Sequence, residues 1–171
     1  SYIMYSTSKI LGLERSHKLN IEILGKIQRS DLLLKILSNR YNYSTDTLKT
    51  TVLDHQFDNP VGVAAGFDKN AKIVPALQSI GFGFIEIGTV TPQPQEGNKK
   101  PRMFKMSKDR ALINRLGFNN DGMKKIQKRL NSYNADIPIG LNIGKMNKSD
   151  STQAFQDYRS IAKFFGDYPS Y

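Results

Sequence analysis

Three short apolar runs, each stopping abruptly at glycine or a polar residue, constrain the fold of this chain more than any other feature. They are Val61–Ala65 before Gly66, Phe84–Gly88 before Thr89, and Ile137–Ile143 before Gly144. Runs of this length, without alternation, fit strands covered on both faces. Between the first two, Asn70 is placed to cap a helix over Ala71–Ile80, with Ile73, Ala76, Leu77 and Ile80 on one side and Gly81 as terminator. Strand, helix and strand in that order require a parallel pair joined by a right-handed crossover. The pattern repeats through a basic, irregular insertion at Thr91–Asn120, a helix near Asp121–Asn131, the third strand and a last helix at Ser151–Phe165. The expected class is α/β, either a (β/α)8 barrel or a doubly wound sheet. A closed barrel takes about 250 residues, so three β/α units form only its first part.

Upstream, apolar residues fall at helical spacing from Lys9 to Leu37: Ile10 and Leu13, Ile23 and Ile27, Leu33 and Leu37. Two amphipathic helices are predicted, broken near Gly25, with Ser30-Asp31 capping a second helix from Asp31 to about Ser38. A polar, turn-rich stretch follows at Asn39–Thr47. No run of 18 apolar residues is present, so no transmembrane helix is expected, and peripheral attachment on the cytoplasmic side of a membrane stays open.

The net charge of +10 raises the question of an anionic partner. The excess of Lys and Arg sits in residues 1–50 and 101–150. The stretch containing Lys99, Lys100, Arg102, Lys105, Lys108, Arg110 and Arg115 lies in no recognised nucleic-acid module and lacks interleaved aromatics, so no nucleic-acid partner is expected. Cysteine is absent, and His17 and His55 are isolated, so no metal site is expected.

Candidate site residues cluster where strands end. In the loop from Ala64 to Asn70, small residues allow close backbone approach to a flat or charged ligand, and Lys69 places a cation beside it. An ordinary strand-to-helix turn with a solvated lysine is an equal reading of that loop alone. Gly88-Thr89 and Asn142 end the next two strands, and in a barrel all three positions share one rim. Asn114 to Asn120 gathers amides, a guanidinium and a ring, suited to a heterocycle bearing carbonyl and N–H groups. Asn119 and Asn120 are read as loop-capping amides. Gly140 to Met146 fails as a P-loop because three residues, not four, separate its glycines and Met146 replaces the magnesium-binding hydroxyl. Gly81-Phe82-Gly83 lacks the third glycine of a dinucleotide fingerprint.

Residues 59–69 (NPVGVAAGFDK), 81–92 (GFGFIEIGTVTP), 112–119 (LINRLGFN) and 139–145 (IGLNIGK) together resemble the class 2, quinone-dependent dihydroorotate dehydrogenases, in their order and spacing. Residues 14–17 (ERSH) are similar to the helix of that family's amino-terminal extension. The resemblance implies residues 1–45 as a helical membrane and quinone-tunnel extension, and 46–171 as the incomplete N-terminal portion of an FMN-binding (β/α)8 TIM barrel. It implies oxidation of dihydroorotate to orotate in pyrimidine biosynthesis, with FMN as cofactor and quinone as acceptor. Ala64, Ala65, Gly66, Phe67, Asp68, Thr89 and Asn142 would contact FMN. Lys69, Asn114, Arg115, Leu116, Gly117 and Phe118 would contact substrate, and His17 and Lys105 the quinone tunnel. Lys105 stands where most relatives carry arginine, which loses the planar fork. The family's serine base is expected beyond Tyr171, so that no catalytic base lies in this chain and the missing C-terminal half of the barrel is a required partner. The alternative implied is a truncated, inactive remnant.

Overall fold

The computed structural model describes residues 12–52, 54–166 and 168–171; the expectations for Lys9 and Ile10 lie outside them. Helix α1 spans Leu13–Ile27 and α2 Asp31–Tyr41. Contrary to the expected break, α1 runs through Gly25, which lies 3.9 Å (ideal Cβ position) from Ile73 in a close helix contact. The break falls at Gln28–Ser30, where the Ser30 hydroxyl accepts from the Leu33 amide. Helix α2 runs past Ser38 to Tyr41 and packs on the barrel's first helix.

A short antiparallel pair follows, β1 (Thr50–Val52) and β2 (His55–Phe57). Then come β3 (Gly62–Val63), α3 (Val74–Ser79) and β4 (Phe84–Val90). The insertion expected to be irregular contains an antiparallel hairpin of β5 (Met103–Met106) and β6 (Ala111–Asn114). Its residues are nearly all exposed, so no alternation of apolar and polar side chains marks it in the sequence. The chain continues through α4 (Met123–Leu130), β7 (Ile139–Ile143) and α5 (Ser151–Phe165). At α5 the Asp150 carboxylate and Gln153 form a reciprocal capping box, which explains why its start was predictable.

Strands β3, β4 and β7 form a parallel sheet in that order, with Val63 opposite Ile85 and Ile85 opposite Ile139. This is an open sector of a β/α barrel. Ile85, Ile87 and Val90 are completely buried with Ile73, Val74 and Leu77 from the α3 region, Ile126 and Leu130 of α4, and Ile161 of α5. Successive strand residues point to opposite faces, and Phe84 and Glu86 on the other face of β4 are only half-buried. The expectation of burial on both faces therefore holds fully on the helix side alone; on the inner face Phe84 meets the rings of Phe57 from β2 and of Tyr171, which cover it only in part. Outside β7, the Leu141 amide donates to the Tyr171 carbonyl and the Ser170 amide to the Ile139 carbonyl, continuing the sheet's hydrogen bonding to the last residues.

Helix α3 starts three residues later than expected, and Asn70 does not cap it. Ala71 takes a left-handed conformation (φ 52°), and the Asp68 carboxylate accepts from the Lys72 and Ile73 amides at 2.8 and 2.7 Å. Asn70 instead accepts from the Asp121 amide, tying this loop to the entry of α4.

Candidate functional site

The loops after β3 and β4, the end of β7, the β6 loop and the start of α1 enclose one open cavity of about 1450 Å³. Its walls include Ala64, Ala65, Gly66, Phe67 and Lys69 from the first loop, Thr89 from β4 and Asn142 from β7. Asn114, Leu116, Gly117, Phe118 and Asn119 line the β6 side, and Leu13 to Lys18, including His17, close the helical side. Segments separated along the chain meet here because parallel strands put all their C-terminal ends on one rim. Asp68, Arg115 and Lys105 are not among the lining residues. Asp68 is buried beneath the loop, and the Arg115 guanidinium donates to the Pro101 carbonyl, bracing the insertion. Lys105 is exposed on β5.

Gly66 carries the close-approach argument. Its φ of 100° is one that side chains disfavour, and no atom lies within 4 Å of the Cβ it lacks, so a planar ligand can lie against its backbone. Across the floor, the Thr89 hydroxyl donates to Asn142 Oδ1 at 2.6 Å, and Asn142 Nδ2 donates to Glu86 Oε1 at 3.1 Å. This chain fixes the orientation of the Asn142 amide. Glu86 was missed in the sequence, although a carboxylate in the middle of an apolar strand was the available signal. Asn120 is a satisfied buried amide that accepts from the Gly122 amide and donates to Thr91 and Phe118. Asn119 differs: it lines the cavity, and its Oδ1 is buried without a hydrogen-bond partner. Such a group is expected to meet water or a ligand donor. Gln95, also missed, donates to the Gly117 carbonyl and accepts from the Asn147 amide, holding the loop after β6 against the segment after β7.

The electrostatics centre on Lys69. Its ammonium is half-buried and donates to the Gly66 carbonyl at 2.8 Å. Burial, then the nearby Arg102 cation, hold its pKa below the ordinary lysine value of 10.5. His17 packs edge-to-face on Phe67, with ring centroids 5.3 Å apart. Its pKa is lowered from 6.5, first by burial and then by Lys69. The folded chain thus favours neutral imidazole, so this group's contribution to stability is present above pH 6.5 and lost as pH falls through its folded value. In an NMR titration His17 is expected to protonate below 6.5, whereas a midpoint at or above that value would contradict the buried placement.

Beside them lies an ion pair that no sequence feature distinguished from the surrounding basic residues. Arg102, 7% exposed, approaches Glu14 with NH2 at 2.6 Å and Nε at 3.3 Å, and its NH1 donates to the carbonyls of Glu96 and Asn98. Lys100 reaches the same Glu14 oxygen at 3.4 Å. Hydrogen bonding from Arg102 is the main cause of the lowered Glu14 pKa. Among the described residues, no cluster of three or more His, Asp or Glu side chains is arranged to hold a metal.

Residues 47–171 match the family model described as dihydroorotate dehydrogenase. A curated relative from Mycobacterium sp. (strain KMS), named dihydroorotate dehydrogenase (quinone), is 40% identical over 157 residues, covering 92% of this chain and 44% of the relative. One of the same name from Haloarcula marismortui is 49% identical over 125 residues, covering 73% of this chain and 36% of its own length. The crystal structure of an Eimeria tenella DHODH in complex with ferulenol superposes with a TM-score of 0.77 at 31% identity, over 98% of this chain and 45% of that one. The ligand-free Eimeria tenella enzyme gives a TM-score of 0.67 at 35% identity, over 88% of this chain and 43% of that one. The chain therefore spans less than half the length of these relatives. With the family match extending from the 3-10 turn before β1 to the last residue, and the rim loops gathered as the fold requires, the chain belongs to the dihydroorotate dehydrogenase family.

Proposed function

We propose that this chain is the amino-terminal portion of an FMN-dependent enzyme that oxidises dihydroorotate to orotate, passes the electrons to a quinone and serves pyrimidine biosynthesis. The observation that carries this reading is the single cavity in which Gly66, Lys69, Thr89, Asn142 and the Asn114–Phe118 loop converge. The residues fit a flavin: the open backbone at Gly66 suits a flat ring, and the Thr89–Asn142–Glu86 chain and the unpartnered Asn119 Oδ1 offer polar edges. When bound, FMN would supply the hydride acceptor. The chain's own residues do the binding. Ala64, Ala65, Gly66, Phe67, Thr89 and Asn142 would hold the cofactor, with Asp68 fixing the loop from below.

Lys69 would neutralise the substrate carboxylate, its desolvated ammonium interacting more strongly than a hydrated one. Asn114, Leu116, Gly117 and Phe118 would face the dihydroorotate ring, with Arg115 bracing their loop. The proton must leave to a base, which we assign to a serine outside this chain. His17 would border the quinone path, with Lys105 outside its wall. Peripheral attachment on the cytoplasmic side of the membrane is part of the proposal, with residues 1–45 as the attaching extension. It draws on Leu32, Leu33 and Ile36, which lie on α2, 68%, 42% and 53% exposed.

The test is dihydroorotate-dependent quinone reduction by the full-length polypeptide loaded with FMN; a flavin-loaded protein that reduces no quinone overturns the reading. Lys69→Met is expected to weaken orotate binding about tenfold to 150-fold, the scale of a charged hydrogen bond, as measured by flavin absorbance on titration. The half-buried inner sheet face supports a second reading, an inactive remnant. That reading predicts flavin binding without turnover.

A further inference from the structure

We propose that Gln95 is a positioning residue of this site: its side-chain amide, spanning from the segment after β7 to the loop after β6, holds that loop in the conformation that presents Phe118 to the cavity. The inference rests on the functional reading above for what the loop binds, and on geometry for the rest.

Phe118 lines the cavity from an uncommon backbone conformation, its φ of 53° following one of 72° at Gly117. A bulky side chain stays in the left-handed region only where its surroundings hold it there. Residues 95–98 supply most of that hold. The Arg115 carbonyl accepts from Asn98 Nδ2 at 2.8 Å, and the Leu116 carbonyl from the Asn98 backbone amide at 2.9 Å. The Gly117 carbonyl accepts from Gln95 Nε2 at 3.0 Å, and the Phe118 carbonyl lies 3.5 Å from the same nitrogen. The two segments meet closely at a glycine on each side. A Cβ on Gly97 would fall 2.2 Å from the Leu116 carbonyl oxygen, and one on Gly117 2.8 Å from Asn98 Cγ.

Within this contact Gln95 is the group whose orientation is set from a third element. Its Oε1 accepts from the Asn147 backbone amide at 2.8 Å. A backbone amide can only donate and a carbonyl only accept, so the Gln95 side chain has one arrangement, with Nε2 towards Gly117. Asn147 Nδ2 adds a longer bond to the same Gly117 carbonyl at 3.3 Å. The main chain of Gln95 is anchored separately, by a reciprocal pair of bonds with Asn120 at 3.0 and 2.9 Å. The side chain can therefore be changed while the backbone of the insertion keeps its place.

Gln95→Ala is expected to raise the orotate Kd of the FMN-loaded, full-length polypeptide about fivefold to tenfold, the scale of one net hydrogen bond. Flavin affinity should stay within about twofold, because the bonds of Gly66 to Gly88 and of Thr89 to Asn142 are independent of Gln95. A side chain that only stabilised the fold would move both affinities together or neither. Gln95→Glu keeps the shape and the acceptor for Asn147 but sets a carboxylate oxygen against the Gly117 carbonyl. It should bind orotate no better than Gln95→Ala, and it carries the same test if the alanine variant fails to fold. Because Gln95 acts through Phe118, adding Gln95→Ala to Phe118→Ala should cost less than about a further twofold. The Phe118 ring NMR resonances of the full-length polypeptide, assigned with Phe118→Leu, should move towards those of an unstructured chain in both Gln95 variants. Undiminished orotate affinity in Gln95→Glu, a full extra loss in the double variant, or ring resonances that stay put each overturn the proposal. If the unmutated protein binds no orotate, the functional reading falls instead, and the ring resonances still decide the role of Gln95.

Discussion

Alanine at Gly88 is expected to destabilise the fold by about 3 to 5 kcal/mol, combining overpacking with backbone strain. The added Cβ would fall 2.3 Å from the Asn142 carbonyl oxygen, a backbone atom of the neighbouring strand that cannot swing aside. Gly88 also has φ 117°, where alanine is strained even with room to spare. Relief would require β4 and β7 to separate where Thr89 bonds Asn142, so flavin affinity should fall together with stability. Gly12→Ala is the control. Its φ is 76° but nothing lies within 4 Å of the missing Cβ, so it carries strain without the clash and is expected to cost about 1 kcal/mol. Urea denaturation of both variants tests this, and equal midpoints would show that the close approach at Gly88 is immaterial.

The second large effect is expected at Asp68. Asp68→Ala leaves two amides, those of Lys72 and Ile73, without their acceptors beneath a buried loop, at a cost of about 3 to 4 kcal/mol. Asp68→Asn retains one carbonyl oxygen, so it should lose roughly half as much. The pH dependence carries a sign. Burial, only partly offset by the backbone hydrogen bonds, raises the Asp68 pKa above 3.8. The native chain therefore binds more protons than the unfolded chain just above that value, and this group's contribution falls as pH rises through the window. Glu14 has the opposite sign: its pKa lies below 4.5, so its contribution is present above 4.5 and lost as pH falls through the folded value. Denaturation of Asp68→Asn between pH 3 and 6 should show only the rising limb left by groups such as Glu14. An unchanged profile would remove Asp68 from the account.

How far each residue's role was legible depends on the range of the interaction that sets it. Ser30 announced its helix start because a cap bonds an amide three residues away, a distance written into the chain, and Asp150 caps the last helix in the same local way. The hairpin of β5 and β6 gave no such sign, since its residues are largely exposed and it is ordered by strand pairing and by contact with α1, a helix far away in the chain. Asn70 was the natural cap by type and position, yet Asp68 took that work because the left-handed turn at Ala71 brings its carboxylate under the amides. Among the candidate site residues, Gly66 and Lys69 were legible as a loop following a strand and Thr89 and Asn142 as strand ends; Glu86 was marked only as a carboxylate within an apolar run, and Gln95 was not marked at all. A side chain that braces a loop looks the same in sequence as one that faces solvent.

By itself the sequence determined the alternation of buried strand and amphipathic helix, and hence a parallel sheet whose loops share one rim, because period and capping act over a few residues. Only the tertiary structure decided which charges meet. Glu14 finds Arg102 across 88 positions, and with it the electrostatic setting of Lys69 and His17. Coulomb energy depends on separation in space and on the water excluded between the groups, and neither exists until the chain has folded.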